Sequence, residues 1–265
     1  MFLEDWLPMR IGIITDIHEN VKMLQRALDV ASDNKCDELV CLGDITGFDR
    51  RFYRYNYTRS ASGCIKLIRE NFRWIVAGNH DLFSAGRIPS WTDGFEFPEG
   101  WFRMESSERK HKAAGKVWCY EGDAETDMGR DEITFLGSLP EFIVTDAPGI
   151  TCLFSHYLFP DLSGSTTRYA ERRRHLTGHW KFMDTNKVLY AFSGHTHNHF
   201  TGFAYRTAGS LFRAFQNLPN DSFSLGNEKT IIALPPLSGE KGRTGFSIFD
   251  SDMKKLSVIH FILSD

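Results

Sequence analysis

The chain has 265 residues, 42% of them hydrophobic and 25% charged, with a formal net charge of −3. This is the composition of an ordinary folded protein and excludes a disordered or fibrous chain. The charge balance gives no global electrostatic case for nucleic acid, which calls for a strongly basic domain or face. The five cysteines are odd in number and show no CxxC spacing, and Cys41, Cys119 and Cys152 stand among apolar or aromatic neighbours, as small core residues of a reducing compartment do. The start, MFLEDWLPMR, carries two acids and no long apolar run, so it does not read as a signal peptide. No stretch reaches the roughly 18 uninterrupted apolar residues of a membrane span. A cytoplasmic protein without membrane contact is expected.

In chain order, residues 10–16 (RIGIITD) read as a first strand. Val21, Leu24, Ala27, Leu28 and Ala31 then recur at helical spacing behind Asn20, a helix N-cap residue type. Residues 38–44 give a second strand, Cys64 to Phe72 a second helix and residues 73–77 a third strand. This β-α-β-α-β order predicts a parallel sheet. From 84 to 130 the chain is irregular, with Trp91, Phe95, Phe97, Trp101, Phe102 and Trp118 among glycines, prolines and charges, and one helix near 105–118. Two readings stand for this excursion: a satellite aromatic core, or a lid that shapes a pocket. Beyond 131 the texture is β-rich (EFIVTD, ITCLFSH, VLYAFSGH, FTGFAYRT, KTIIALP, GFSIFD, LSVIHFI), with a helical stretch around Tyr169 to Thr177. So many strands suit two stacked sheets flanked by helices in one α/β domain spanning 1–265, with 211–230 as a loop insertion.

Five polar clusters punctuate these strands: Asp16-Ile17-His18, Gly43-Asp44, Gly78-Asn79-His80-Asp81, His156 and Gly194-His195-Thr196-His197. Each would sit at the carboxyl end of a buried strand, where α/β sheets place their ligands. An i, i+2 pair beyond a strand can turn both side chains toward one ion, which suits Asp16 with His18 and His195 with His197. A carboxylate such as Asp44 can bridge two cations. The Asn79 carbonyl is a neutral hard ligand, and Asp81 is expected to accept from the His80 ring and fix its tautomer. His199 would run away from the site.

The ordered set DIH, GDITG, GNHD, the His of FSHY and GHTH resembles the calcineurin-like metallophosphoesterase superfamily, and DIHENVKMLQRAL, CDELVCLGDITGF and EITFLGSLP look like its small microbial phosphodiesterase branch. The resemblance covers residues 9 to 210. It implies a four-layer αββα sandwich with two mixed sheets. It also implies one metal on Asp16, His18 and His197, a second on Asn79, His156 and His195, and Asp44 bridging them. His80 would be the non-ligand proton donor to the leaving group, with a metal-bridging hydroxide as nucleophile. The cofactors would be two divalent ions, Mn, Fe, Ni, Co or Zn, with Mn the first choice, since the ligands are oxygen and nitrogen.

Two stretches depart from the family. FDRRFYRYNYTRSAS follows the second motif, so Arg50, Arg51 and Arg54 are candidates for holding a phosphorylated small molecule or nucleotide, against the alternative of a solvated basic loop. After Gly209-Ser210 the chain continues as LFRAFQNLPNDSFSLGNEKT in place of the family's Pro-Arg. Arg168 and Arg172 to Arg174 are expected to face water. The leading expectation is a phosphodiesterase or phosphatase; a non-catalytic scaffold on the same fold and a nuclease are the alternatives.

Overall fold

The computed structural model describes residues 9–147, 149–197, 201–206, 213–217, 222–239 and 244–261. Strand β1 (Arg10–Ile14) leads to helix α1 (Val21–Asp33), then β2 (Glu38–Cys41), α2 (Ala61–Asn71) and the short β3 (Trp74–Ile75). β1 pairs in parallel with β2, and β2 with β3, as the alternating pattern predicts. Asn20 caps α1, its side chain accepting from the Met23 N–H at 3.1 Å.

Helix α3 (Asn79–Ser84) follows directly and turns GNHD into the first turn of a helix. Helix α4 (Ser106–Ala113) is shorter than the 105–118 expected, because Ala114 enters the left-handed region and ends it. Helix α5 (Arg130–Ser138) occupies the start of the stretch expected to be β-rich; only its Leu136 is fully buried, so its apolar stripe is faint in the sequence. The strands β4 (Phe142–Ala147) and β5 (Ile150–Ser155) then form a hairpin.

The helix expected around 169–177 lies further on. A 3₁₀ turn at Arg173–Leu176 runs into α6 (Thr177–Thr185), because the apolar stripe that packs on the sheet is Leu176, Trp180 and Met183. Then come β6 (Tyr190–Ser193), β7 (Gly202–Tyr205), β8 (Ser222–Ser224), β9 (Thr230–Ala233), β10 (Thr244–Asp250) and β11 (Lys255–Phe261). Strand β8 falls within the 211–230 segment expected to be a loop, and pairs with the edge of β11. His199 and the Gly209-Ser210 step lie outside the described residues.

Two mixed sheets result, in the orders β3-β2-β1-β10-β11-β8 and β4-β5-β6-β9-β7. Ile11, Ile13, Val40 and Leu42 of the first meet Phe154, Tyr190, Phe192 and Ile232 of the second across a shared core. Full burial of each such side chain contributes about 2 kcal/mol. Helices α1 and α2 cover the outer face of the first sheet through Leu24, Ala27, Ile65 and Ile68, and α6 covers that of the second. This is the αββα sandwich. The excursion closes on its own cluster of Phe95, Trp101, Ala113 and Val117. Among the described residues no helix is long and apolar enough to cross a membrane.

Candidate metal centre

The five polar clusters leave the carboxyl ends of β1, β2, β3, β5 and β6, so both sheets contribute to one place. The backbone there is strained: Asp16, His18, Asp44, His195 and His197 all have φ between 48° and 67°. Side chains other than glycine rarely occupy this left-handed region, at a cost of about 1 kcal/mol or more each. Main-chain bonds hold the strain in place. The N–H groups of Ile17 and His18 both donate to the Asp44 carbonyl (2.8 and 2.9 Å), and Gly194 N–H donates to that of His156 (2.9 Å). Gly78 is required by contact, since a Cβ there would lie 2.2 Å from Asp44 Oδ1.

Each carboxylate is anchored through one oxygen and presents the other. Asp16 Oδ2 accepts from Thr15 Oγ1 (2.8 Å) and from the His195 N–H (3.1 Å), leaving Oδ1 3.5 Å from His197 Nε2 and 3.9 Å from His18 Nε2. Asp44 Oδ1 accepts the His80 N–H (2.9 Å), and its Oδ2 lies 3.1 Å from His156 Nε2. The imidazoles follow the same plan: Nδ1 of His18 lies 2.8 Å from the Gly47 carbonyl and Nδ1 of His156 2.8 Å from that of Leu42. Such a carbonyl fixes the proton on Nδ1 and turns Nε2 inward. Donor atoms of Asp16, His18 and His197, and of Asp44, His156 and His195, gather within 4.8 Å of one another; a third such group is His18, Asp44 and His80.

Burial and the mutual charges shift the titrating groups of the site in opposite directions. Burial holds His18 and His195 well below the usual imidazole range, so both keep a free lone pair. Burial opposes the charge on Asp44, but His156 and His80 outweigh it and hold the carboxyl well below its usual range. Burial likewise opposes His156, yet the adjoining Asp44 raises it to about 9. Four buried polar atoms, Asp16 Oδ1, His18 Nε2, Asn79 Oδ1 and His195 Nε2, have no hydrogen-bond partner. An unsatisfied buried polar atom costs about 1–3 kcal/mol, and four at one locus, all capable of ligation, fit divalent cations held by oxygen and nitrogen. Six of the seven residues expected as ligands, Asp16, His18, Asp44, His156, His195 and His197, thus fall into two groups of ligating atoms, and Asn79 lines the adjoining cleft.

The GNHD motif divides its work differently from the expectation. Asp81 does not orient His80. Standing in the first turn of α3, it folds back so that Oδ2 accepts from Gly78 N–H (3.0 Å) while Oδ1 accepts from the N–H groups of Ile45 and Thr46 (2.9 and 3.0 Å). It thereby fixes the loop that carries Asp44, and burial followed by the Asp44 charge raises it to about 6. The ring of His80 instead meets Asp123 of the excursion, Nδ1 to Oδ2 at 2.7 Å. Burial works against protonation of His80, but Asp123 and then Asp44 raise it to about 10. Asp123 belongs to no motif; the lone sequence signal is a Gly-Asp step amid irregular chain. A bridge to Asp49 and the Ala124 N–H to Phe48 carbonyl bond (2.8 Å) bring it in.

A cleft of about 560 Å³ opens over these residues, bordered by Arg51, Phe52 and Tyr53 on one side and by the 118–123 stretch on the other. Of the three arginines expected at substrate, Arg51 borders the cleft but is forked onto Asp49, with Nη2 to Oδ2 at 2.6 Å and Nε to Oδ2 at 2.9 Å. Arg50 lines a neighbouring hollow with Asn56 and Arg59, and Arg54 is exposed, reaching the Arg50 carbonyl at 3.4 Å. Arg168 faces water and pairs with Asp93 at 2.6 Å.

A protein of Methanocaldococcus jannaschii, the uncharacterized MJ0912, is 27% identical over 171 residues, which are 61% of this chain and 58% of that protein; the chain thus spans little over half the relative's length. Two solved structures share the fold. A metallophosphoesterase from Sphaerobacter thermophilus has a TM-score of 0.64 at 21% identity, over 96% of this chain and 89% of the other. The hypothetical protein PH1004 from Pyrococcus horikoshii OT3 has a TM-score of 0.58 at 13% identity, over 97% and 89%. The calcineurin-like phosphoesterase family matches residues 9–199, a segment that holds every cluster of the centre from Asp16 to His197, and the chain belongs to that family.

Proposed function

We propose that this protein hydrolyses a phosphate ester of a small molecule or nucleotide at a dinuclear centre. Asp16, His18 and His197 would hold one cation, Asn79, His156 and His195 the other, and Asp44 both. The observation that carries this reading is the set of four buried, unpartnered donor atoms converging from two sheets. Bound there, two divalent cations would supply Lewis acidity, neutralising charge on the phosphoryl oxygens and acidifying water; manganese is the first choice.

The remaining chemistry falls to the side chains. Hydrolysis forms a bond from a water oxygen to phosphorus and breaks the bond from phosphorus to the ester oxygen, and the departing alkoxide needs a proton. His80 supplies it, and the water consumed replaces it. The hydrogen bond to Asp123 fixes the ring with Nε2 free and favours its charged form. The stretch 118–123 on the cleft wall supports reading residues 84–130 as a lid on the same catalytic domain. All five cysteines are unpaired, which supports a cytoplasmic protein.

The test is direct. Protein prepared with manganese is analysed for bound metal and assayed with bis-p-nitrophenyl phosphate and p-nitrophenyl phosphate. About two ions per chain and hydrolysis of at least one ester are expected. Less than one ion per chain, with silence across diesters, monoesters and nucleotides, would sink the proposal.

A further inference from the structure

The hydroxyl of Thr196 stands at the metal centre yet belongs to neither ligand group. Thr196 is 2% exposed and borders the cleft, and its buried Oγ1 has no hydrogen-bond partner among the described residues. The unpartnered lone pairs of His18, Asn79 and His195 on the same cleft suit cations, whereas a hydroxyl also carries a proton to give. Nothing in the fold uses that proton, and a buried hydroxyl left without a partner destabilises the fold that holds it.

The main chain on both sides holds the residue still. Thr196 N–H donates to the Gly194 carbonyl (2.8 Å), the preceding His195 N–H to Asp16 Oδ2 (3.1 Å), and Thr201 Oγ1 to the carbonyl of the following His197 (2.7 Å). Branching at Cβ stiffens the side chain as well. The charged donors on the cleft are committed elsewhere. Among the described residues that border it there is no lysine, Arg51 is forked onto Asp49, and the His80 ring is turned by Asp123 toward its work on the leaving group. A phosphoryl group in transfer spreads negative charge over its peripheral oxygens, and a fixed neutral donor beside them stabilises that charge without burying another.

Resting on the phosphoesterase reading above, we propose that the Thr196 hydroxyl donates a hydrogen bond to a non-bridging oxygen of the bound phosphate. The hydroxyl keeps its hydrogen throughout, so its part is to bind and orient. Its neighbours His195 and His197 belong to different ligand groups, so the donor is carried between the two positions that one phosphate would span.

The experiment titrates inorganic phosphate into manganese-loaded wild type, Thr196→Val and Thr196→Ser by calorimetry, with metal content measured on the same samples. Valine keeps the branched shape and removes the hydroxyl, while serine keeps the hydroxyl. Both variants are expected to hold as much metal as wild type. Phosphate should bind the valine variant about tenfold or more weakly, as for a lost hydrogen bond to a charged group, and the serine variant within about threefold of wild type. In metal-free protein the valine variant should melt no lower than wild type, since the fold loses no hydrogen bond. Phosphate affinity unmoved by valine, no phosphate binding by wild type, a serine variant as weak as the valine one, metal lost with the hydroxyl, or a lower melt without metal each overturns the proposal. Hydrolysis of bis-p-nitrophenyl phosphate by wild type, measured in parallel, reports separately on the phosphoesterase reading.

Discussion

His179 offers a test of the folded state that does not involve the metal centre. It stands fully buried in α6, and its Nδ1 accepts the Phe159 N–H at 2.9 Å. The ring proton must then sit on Nε2, which has no partner. Burial pushes the group down from 6.5 to about 3. The unfolded chain thus takes up a proton at this residue below 6.5, whereas the folded one refuses it until about 3, so stability is complete above 6.5 and drains away as the pH falls. At pH 5 the loss from this side chain is about 1.4 kcal/mol for each of the 1.5 units below 6.5, or about 2 kcal/mol.

The assay is urea unfolding of wild type and His179→Asn at pH 7 and pH 5 with excess chelator. The asparagine carbonyl can still accept from Phe159 N–H but cannot take up a proton. The variant should be less stable at pH 7, through lost packing, yet lose about 2 kcal/mol less than wild type between the two pH values. The double difference cancels every other titrating group. Equal losses in the two proteins would refute the reasoning.

Replacing His80 with alanine should leave metal content unchanged and lower kcat by roughly 10²- to 10⁴-fold; a parallel loss of metal would show that the ring is a ligand. Asp123→Asn keeps the shape but removes the charge facing His80, and should cut kcat by about tenfold or more with metal content and KM little changed; full activity would remove Asp123 from the reaction. Gly78→Ala forces a methyl to within 2.2 Å of Asp44 Oδ1, so the variant should unfold earlier or bind less metal, read by thermal melts and metal analysis. Chelation should lower the melting temperature of wild type, because cations that bind only the folded state stabilise it by about 3–4 kcal/mol at a hundred to a thousand times their dissociation constant; an unchanged melt would argue against a resident metal.

What could be read from the chain depended on how local the cause was. Strands β1, β2, β5 and β6 announce themselves as apolar runs, and their ends carry the ligand-type residues, so the sandwich and the convergence of Asp16, Asp44, His156 and His195 were legible. Helix α6 is hard to place from sequence because its stripe, Leu176, Trp180 and Met183, is sparse beside the more helical-looking arginines before it. Adjacency of Asp81 to His80 suggests a partner, whereas the first turn of a helix directs that carboxylate back onto main-chain N–H groups. Asp123 could not be found, since its meeting with His80 spans 43 positions and depends on how an irregular excursion docks. Arg51 has the chemistry of a phosphate hook, but Asp49, two residues earlier, occupies it.

The two ligand groups each draw on both sheets, and the hydrogen bond from His195 N–H to Asp16 Oδ2 joins residues 179 apart. During synthesis the chain therefore exposes Asp16, His18 and Asp44 long before any histidine from β5 or β6 exists to complete either group. Neither position is a finished cage until residue 197 has left the ribosome and the two sheets have closed. On the proposed reading metal capture is a late event, and an occupied centre would certify that the halves of the sandwich have met.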